Sequence, residues 1–307
     1  MTNSIIIEAE SNENRADIAA IQIAAFNHHT AEATIIALLR QREDFDSDLS
    51  LIAYMRDPVY SYILHAAGHI LLTPSSIRLD GEYVSAVLVA PVGVHPRFQR
   101  SGVGSALIEA AHKIVRESDD EYQLAFLVGH PEYYSRFGYQ KRAFGTSSLT
   151  VTTKNLPENL LDMTPPSETD LEALTDLWEY EEGSINFAVL PQDLNDWHTP
   201  NPKMQAIVYR RDGQIVGYSR GNSTDVRSFL AYDHDTARMI ARNIAGDAAT
   251  IKLPLPPDSA STGAFDESPE VTLLDAGMVY PLVDDLVLPD SDHTGRPLFY
   301  SAFDRRC

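Results

Sequence analysis

Residues 92–109 read VGVHPRFQRSGVGSALIE, and this stretch decides the fold. An apolar strand pattern is followed by a basic connection and two glycines, after which residues 105–117 carry apolar side chains at helical spacing. Glycines at the start of a helix either let the backbone close around a phosphate or simply make a turn. The stretch therefore predicts a strand, a loop and a helix, with Gly102 and Gly104 at the junction.

Two common phosphate-binding loops are excluded by single residues. A dinucleotide loop of the form G-x-G-x-x-G needs a third glycine at position 107, where the sequence has Leu107. A Walker-type loop needs a lysine before its Ser or Thr, and that lysine is missing. A plain turn and an anion site of another kind remain.

Three features favour the anion site over the plain turn. Arg97 and Arg100 flank the glycines. Residues 101–105 would present successive backbone N–H groups at the positive end of a helix dipole. Neither Gly102 nor Gly104 has a side chain that would keep an anion at a distance.

Helical and strand patterns alternate through the first half of the chain. Asp80-Gly81 is a turn signal between two long strand patterns within residues 68–94. Pro91 has no N–H to complete a ladder, so we expect the second strand to bulge and part from its neighbour there. The predicted helices are 16–26, 32–42, 105–117 and 130–138, and the other predicted strands are 49–55 and 122–128. This order predicts a mixed α/β domain with the glycine loop after a central strand.

The second half repeats this order after a proline-containing segment. A helix over 168–182, a hairpin over 203–221 and a helix over 235–245 are predicted, with strands on both sides of the last helix. The strand-to-helix junction here reads AYDHDTARM and has no glycine loop. We therefore predict a first domain over 1–152, a linker over 153–168, and a second domain over 169–307 that lost a cofactor site.

Charge and composition exclude several classes of protein. The hydrophobic fraction of 44% is that of a globular chain, and no run of about 18 apolar residues could span a membrane. Of the net charge of −20, residues 1–150 carry −6 and residues 151–307 carry −14, which argues against nucleic acid as a partner.

Signals for targeting, disulfides and metals are absent from the sequence. The N-terminus shows no signal peptide pattern. The single cysteine, Cys307, excludes an intramolecular disulfide and a cysteine-based metal cluster, so a reducing cytoplasm is the expected compartment. His28 and His29 are adjacent and would not converge on a metal, so no metal site is predicted.

With these features in place, the sequence resembles the GNAT superfamily of N-acetyltransferases. QRSGVG (99–104) is similar to the family's pyrophosphate loop, and LVAPVGVHP before it, LAFLVG after the helix and HPEYYSRFGY (130–139) follow in the family's order. The YYxRFGY signature resembles a bacterial branch in particular. The resemblance implies a mixed α/β GNAT fold, in tandem with a degenerate GNAT-like second half, and an N-acetyltransferase that uses acetyl-CoA and no metal.

The resemblance also implies where acetyl-CoA would bind. The pantetheine arm would pair with the edge of the central strand at Val92, Gly93 and Val94. The pyrophosphate would lie on the backbone amides of Arg100, Ser101, Gly102, Val103, Gly104 and Ser105.

Tyr134 is the predicted catalytic residue. The family's tyrosine stands four residues before the glycine of its GF or GY pair, which is Gly138 here. A phenol with a pKa near 10 stays protonated at neutral pH and could protonate the departing CoA thiolate. Tyr133 is expected either to be a core residue whose hydroxyl forms a hydrogen bond at the surface or to line the pocket.

The general base and the acceptor amine stay open. Many relatives have a Glu on the central strand, but VSAVLVAPVGV has no ionisable residue. His69 and His130 could act directly or through water, although an ordinary structural histidine is the favoured interpretation of each, and a water chain alone serves equally well. Glu32 could attract a cationic amine, although a first-turn glutamate is also favoured by the helix dipole. Some multidomain relatives of the mycobacterial enhanced-intracellular-survival kind use their terminal carboxylate, which would be that of Cys307.

Two functions from different classes fit the sequence. The first is an N-acetyltransferase that acts on a small-molecule or peptide amine. The second is a non-catalytic sensor or interaction module that binds acyl-CoA without turnover. The sequence leaves a homo-oligomer open.

Overall fold

The computed structural model describes residues 5–183, 185–286, 288 and 295–296. Within them the chain forms seven α-helices and fifteen strands. The helices are α1 (Arg15–Ala25), α2 (Ala31–Leu39), α3 (Val103–Glu117), α4 (Pro131–Tyr134), α5 (Leu171–Glu182), α6 (Leu194–Trp197) and α7 (His234–Ala245). The strands are β1 (Ile5–Ala9), β2 (Ser50–Arg56), β3 (Leu64–Leu79), β4 (Glu82–Val94), β5 (Leu124–Val128), β6 (Gly145–Thr152), β7 (Asp162–Thr164), β8 (Phe187–Val189), β9 (Gln205–Arg211), β10 (Gln214–Asn222), β11 (Asp225–Ala231), β12 (Thr250–Leu253), β13 (Glu270–Leu273), β14 (Gly277–Pro281) and β15 (Gly295–Arg296).

A mixed sheet forms the centre of the first half. Its strands follow the order β1-β2-β3-β4-β5-β14, and β8 pairs with the far end of β3 and with β15. The β4–β5 pair is parallel and its neighbours along this path are antiparallel. Helices α1 and α2 bury their apolar faces on one side of the sheet, and α3 buries its own on the other. The predicted mixed α/β class is confirmed.

The two long strands form the predicted hairpin. Asp80 and Gly81 occupy its turn with φ of +49° and +89°, a region that glycine and aspartate tolerate better than most residues. The predicted helices and strands of the first half are likewise confirmed, with shifts of a few residues at their ends.

The sheet opens between β4 and β5. These strands pair only from Ala86 to Leu88, whereas β4 continues as far as Val94. Along the other edge of β4, Val89 lies opposite Leu72 and Val92 opposite Ile70, so the strand bulges between them. The bulge contains Pro91, as the missing N–H predicts.

The second half adds two smaller sheets. One has the order β11-β10-β9-β7 and the other the order β12-β6-β13. The predicted hairpin turns at Asp212-Gly213, and α7 follows β11 as expected. Strand β7 lies inside the predicted linker and pairs with β9, so residues 153–168 are more than a connection.

Strand pairing crosses the predicted domain boundary in both directions. Strand β14 pairs with β5 of the first half, and β6 of the first half pairs with β12 and β13. One hydrophobic cluster contains residues of both halves, and Phe126 contacts Phe187 with ring centroids 5.6 Å apart. The division into two domains stays a prediction.

None of the helices in the described part of the chain combines the length and the apolar composition needed to cross a membrane.

Candidate active site

The beginning of α3 presents unused backbone donors. Gly102 is its N-cap with φ of +91°, in the left-handed region, and Ala106 N donates the first helical hydrogen bond to Gly102 O at 3.0 Å. Among the described residues, no group accepts a hydrogen bond from any backbone N–H between Arg100 and Ser105. These donors lie at the positive end of a 15-residue helix, so they can hold an anion.

Two arginines add positive charge beside these donors. Arg97 and Arg100 are exposed, and neither forms an ion pair within the described residues. Arg97 lies over the ring of Phe98, with its guanidinium carbon 5.3 Å from the ring centroid. The Ser101 hydroxyl donates to the backbone carbonyl oxygen of Phe98 and so tightens the turn before α3. The surface here is basic in a protein whose net charge is −20.

The second glycine of the loop also lies against a side chain of α4. A Cβ on Gly104 would collide with the Tyr133 hydroxyl, which reaches across from α4. Burial raises the pKa of Tyr133, while a hydrogen bond with Ser105 acts in the opposite direction. Gly104 therefore makes room for a tyrosine, and the contact joins α3 to α4 across the open part of the sheet.

Tyr134 lies among aromatic rings beside this contact. Its ring is edge-on to that of Tyr133 at 5.0 Å and to that of Tyr139 at 5.7 Å. It also covers Gly129, where a Cβ would meet the ring. Burial, and then the neighbouring Tyr133, raise the pKa of Tyr134 above its usual value, so the phenol keeps its proton at neutral pH.

The predicted strand edge lies over a polar side chain of α1. Val92 and Val94 pack on the α3 side of the sheet, whereas Gly93 faces α1. A Cβ on Gly93 would lie 2.7 Å from Oε1 of Gln22, a buried oxygen that has no hydrogen-bond partner among the described residues. Gly93 thus lets the Gln22 carboxamide approach the strand.

His69 lies in a buried chain of hydrogen bonds below Gly93. Its Nδ1 is 2.9 Å from Gln22 Nε2, and its Nε2 is 2.9 Å from the Ser50 hydroxyl. That hydroxyl donates to Glu10 at 2.7 Å, and Arg40 also donates to Glu10. Because the carboxylate must accept, Ser50 accepts in turn from His69 Nε2–H, and Nδ1 accepts from Gln22.

Burial makes His69 a poor proton acceptor. The side chain is fully buried, and burial lowers its pKa to about 3, with Glu10 opposing and Arg40 adding to the shift. Glu10 has a pKa below its usual value because hydrogen bonds from Arg40 and Ser50 outweigh the effect of burial. In this arrangement His69 is uncharged and joins Gln22 to Ser50 by hydrogen bonds.

The remaining predicted residues are Glu32, His130 and the terminal carboxylate of Cys307. Glu32 is in the first turn of α2 and is 9% exposed, and His130 is exposed where α4 begins. No hydrogen bond or ion pair involves either side chain within the described residues. Cys307 lies outside the described residues. Over the same residues no group of three or more His, Cys, Asp or Glu could hold a metal ion.

Two surface grooves, of about 510 and 610 Å³, lie away from this site. None of the predicted site residues lines either of them.

Sequence reasoning missed four residues that shape the site: Gln22, His112, Tyr139 and Tyr280. Gln22 had a readable signal, since it is a polar residue on the apolar stripe of α1 beside Ile18 and Ile21. Tyr280 had no such signal, because its strand pairs with β5 from more than 140 residues away in the chain.

Comparisons with known proteins agree with this geometry. Residues 7–142 match the family described as "Acetyltransferase (GNAT) domain". The Escherichia coli (strain K12) protein named "Uncharacterized N-acetyltransferase YjhQ" is 31% identical over 125 residues, which are 41% of this chain and 64% of that protein. The chain thus spans less than two thirds of this relative.

Solved structures share the fold over a longer part of the chain. A GCN5-related N-acetyltransferase from Kribbella flavida superposes with a TM-score of 0.70 at 15% identity. The alignment covers 91% of this chain and 71% of the Kribbella flavida chain. A GCN5-related N-acetyltransferase from Anabaena variabilis superposes with a TM-score of 0.71 at 14% identity. The alignment covers 91% of this chain and 73% of the Anabaena variabilis chain. The GNAT fold predicted from the sequence is confirmed, while a degenerate GNAT-like second half stays a prediction.

Proposed function

Because residues 7–142 form a GNAT acetyltransferase domain, we propose that the protein transfers an acetyl group from acetyl-CoA to a primary amine. The observation that carries the proposal is the run of backbone N–H groups from Arg100 to Ser105, which have no acceptor in the described part of the chain and lie at the start of α3. Such a run suits the pyrophosphate of CoA, which needs several donors and no obstructing side chain.

The open part of the sheet suits the pantetheine arm. Strand β4 continues to Val94 after its pairing with β5 has ended at Leu88, and along this stretch of its edge Gln99 Nε2 donates to Val94 O at 3.3 Å in place of a strand. An extended chain that carries amides can pair with such an edge. Arg97 and Arg100 lie at the loop that follows and add positive charge for the phosphates.

The proposed chemistry needs few protein groups. Acetyl-CoA supplies a thioester whose acetyl group passes to the amine as the carbon–sulfur bond breaks. Tyr134 donates its proton to the departing sulfur, which its raised pKa allows because the phenol is still protonated at neutral pH. A backbone N–H near Val92 stabilises the negative charge that develops on the carbonyl oxygen. The ammonium of the acceptor loses one proton to water before it attacks, and the second proton that nitrogen loses returns through water to the Tyr134 phenolate.

The acceptor is proposed to bind on the α1–α2 side of the opening, where Glu32 and His130 are the candidate contacts. His69 holds the Gln22 side chain of α1 by a hydrogen bond. It is not proposed to receive a proton, because both of its ring nitrogens already take part in hydrogen bonds. A cytoplasmic location stays a prediction.

A thiol-release assay with acetyl-CoA and a panel of amines tests the proposal. Tyr134→Phe is expected to lower kcat by about 100-fold while the acetyl-CoA Kd changes by less than about twofold. Equal turnover in this variant would refute the role of Tyr134. Binding of acetyl-CoA by calorimetry without turnover on any amine would favour the sensor function instead.

A further inference from the structure

The second half contributes a strand to the proposed site. Strand β14 pairs with β5 from Gly277 opposite Val128 to Pro281 opposite Leu124. It also contacts the segment that follows α4, since Gln140 N donates to Val279 O at 2.7 Å and Ala143 N donates to Gly277 O at 3.0 Å. One strand therefore holds both the end of β5 and the chain that leaves the YYSRFGY motif.

Tyr280 is the side chain of β14 that reaches the motif. Its ring stacks on His112 of α3 with centroids 4.3 Å apart and planes 7° from parallel. It lies against Gly138, where a Cβ would be 2.9 Å from Tyr280 Cε2. Arg116 donates to its hydroxyl and lies over its ring.

From Tyr280 the contacts lead to Tyr134. The rings of Tyr280 and Tyr139 are 5.4 Å apart, and those of Tyr139 and Tyr134 are 5.7 Å apart. His112 Nε2 is 3.2 Å from the hydroxyl of Tyr139, so the middle ring is held by a hydrogen bond as well as by packing. Tyr139 is 3% exposed and cannot move without displacing its neighbours.

Helix α4 depends on such support. It spans only Pro131–Tyr134 before a 3-10 turn, and a single helical turn is not stable by itself. The orientation of Tyr134 is therefore set by what packs against it.

We propose that Tyr280 is a positioning residue for Tyr134, and that β14 is the element through which the second half completes the acetyl-transfer site. This proposal rests on the proposed function for its effect on turnover. Its structural part is independent of that function, because it states which residue holds the ring of Tyr134.

The test uses the full chain with three variants and three readouts. Tyr280→Leu keeps an apolar side chain but removes the aromatic stack on His112, and Tyr280→Phe keeps that stack. Tyr180→Leu is the control. Tyr180 is a tyrosine of the second half that is 51% exposed and contacts Tyr232 rather than the motif. The readouts are acetyl-CoA turnover and binding, and the fluorine NMR signal of a 3-fluorotyrosine placed at position 134.

Tyr280→Leu is expected to lower kcat by about tenfold or more, with an acetyl-CoA Kd within about twofold and a shifted or broadened fluorine signal. Tyr280→Phe and Tyr180→Leu are expected to resemble the wild type in all three readouts. A wild-type kcat and fluorine signal in Tyr280→Leu, or the same losses in Tyr180→Leu, would overturn the proposal.

The two proposals fail in different ways. If the unaltered protein releases no thiol with any amine, the proposed function fails. The fluorine signal then decides the role of Tyr280 alone, and a signal that is unchanged in Tyr280→Leu rejects it.

Discussion

Helices α3 and α7 each begin after a strand, β4 and β11 respectively, yet their N-termini differ. Helix α3 follows β4 after a connection that runs from His95 to Gly102, and its N-cap is a glycine without a side-chain acceptor. Helix α7 follows β11 directly, and its N-cap is Asp233, whose carboxylate accepts from Thr236 N at 2.8 Å and pairs with Arg211.

The difference shows what a helix N-terminus needs in order to bind an external anion. Asp233 supplies an internal carboxylate to α7, and hydrogen bonds from Thr236 and the charge of Arg211 outweigh burial and lower its pKa. Helix α3 has no such carboxylate and has a longer loop with free N–H groups. At α7 an internal carboxylate thus occupies the helix N-terminus, whereas α3 has none.

Replacement of Gly102 is the strongest way to break this comparison. Gly102→Val forces a β-branched side chain into a φ of +91° and should close the loop, so we expect acetyl-CoA affinity to fall by about 100-fold or more. Calorimetry measures the Kd. Gly213→Val is the matched control, since Gly213 has a φ of +82° in an open turn of the second half and should leave the Kd unchanged. An unchanged acetyl-CoA Kd in Gly102→Val would contradict the proposal that this loop binds the pyrophosphate.

Acid should destabilise the first half through His69. Burial depresses the pKa of His69 from 6.5 to about 3, so its contribution to stability is complete above pH 6.5 and is lost as the pH falls toward 3. Between pH 7 and pH 5 this loss is about 2 kcal/mol, because the unfolded chain binds a proton that the folded chain does not. The buried chain Tyr209–Ser219–Asn243 in the second half is neutral and should not contribute.

Urea unfolding at pH 7 and pH 5 checks this expectation. His69→Gln removes the titrating group, and its stability should fall less over this interval than that of the wild type. The comparison between the two proteins is needed because burial also lowers the pKa of His112 to about 4. Equal pH dependence in the two proteins would contradict the expected burial of a neutral His69.

The second loop glycine tests whether space is reserved for phosphate or for Tyr133. Gly104→Ala places a Cβ against the Tyr133 hydroxyl and should weaken acetyl-CoA binding by about tenfold, through displacement of α4. Gly104→Ala combined with Tyr133→Phe, which removes the hydroxyl, should recover most of the affinity. If the double variant binds no better than Gly104→Ala, the added methyl obstructs the ligand directly.

The smallest effect is expected at the filled N-terminus of α7. Asp233→Ala should lower the free energy of unfolding by about 1 kcal/mol through loss of the cap. It should not create a second acetyl-CoA site, because the short junction lacks the loop. Asp247→Ala, at an exposed position just after the helix, should change stability by less than about 0.5 kcal/mol. A binding stoichiometry of two in Asp233→Ala would show that the cap alone excludes the ligand.

The sequence predicted the first half in most of its elements because their signals are local. Asp80-Gly81 marks a turn, Pro91 marks a bulge, and the apolar spacing after Gly102 marks a helix whatever surrounds them. The roles of side chains were less accessible. The sequence offers His69 as a candidate base, but it does not show that His69 is buried. That burial comes from the packing of α1 on the sheet. Gly104 is predicted to bind phosphate, which stays a prediction, and the sequence does not reveal that Tyr133 lies beside it.

The chain's own residues, read in order, determined a mixed α/β domain with a glycine loop after a central strand, because periodicity and turn chemistry act over a few neighbouring residues. Tertiary structure alone decided that β6 and β14 lie in sheets to which the chain order does not assign them. Strand partners are selected by backbone hydrogen bonds and apolar burial between segments far apart in the chain, and no local pattern records that choice. The same reason explains Tyr280, whose contact with the tyrosine motif exists only after the two halves have packed together.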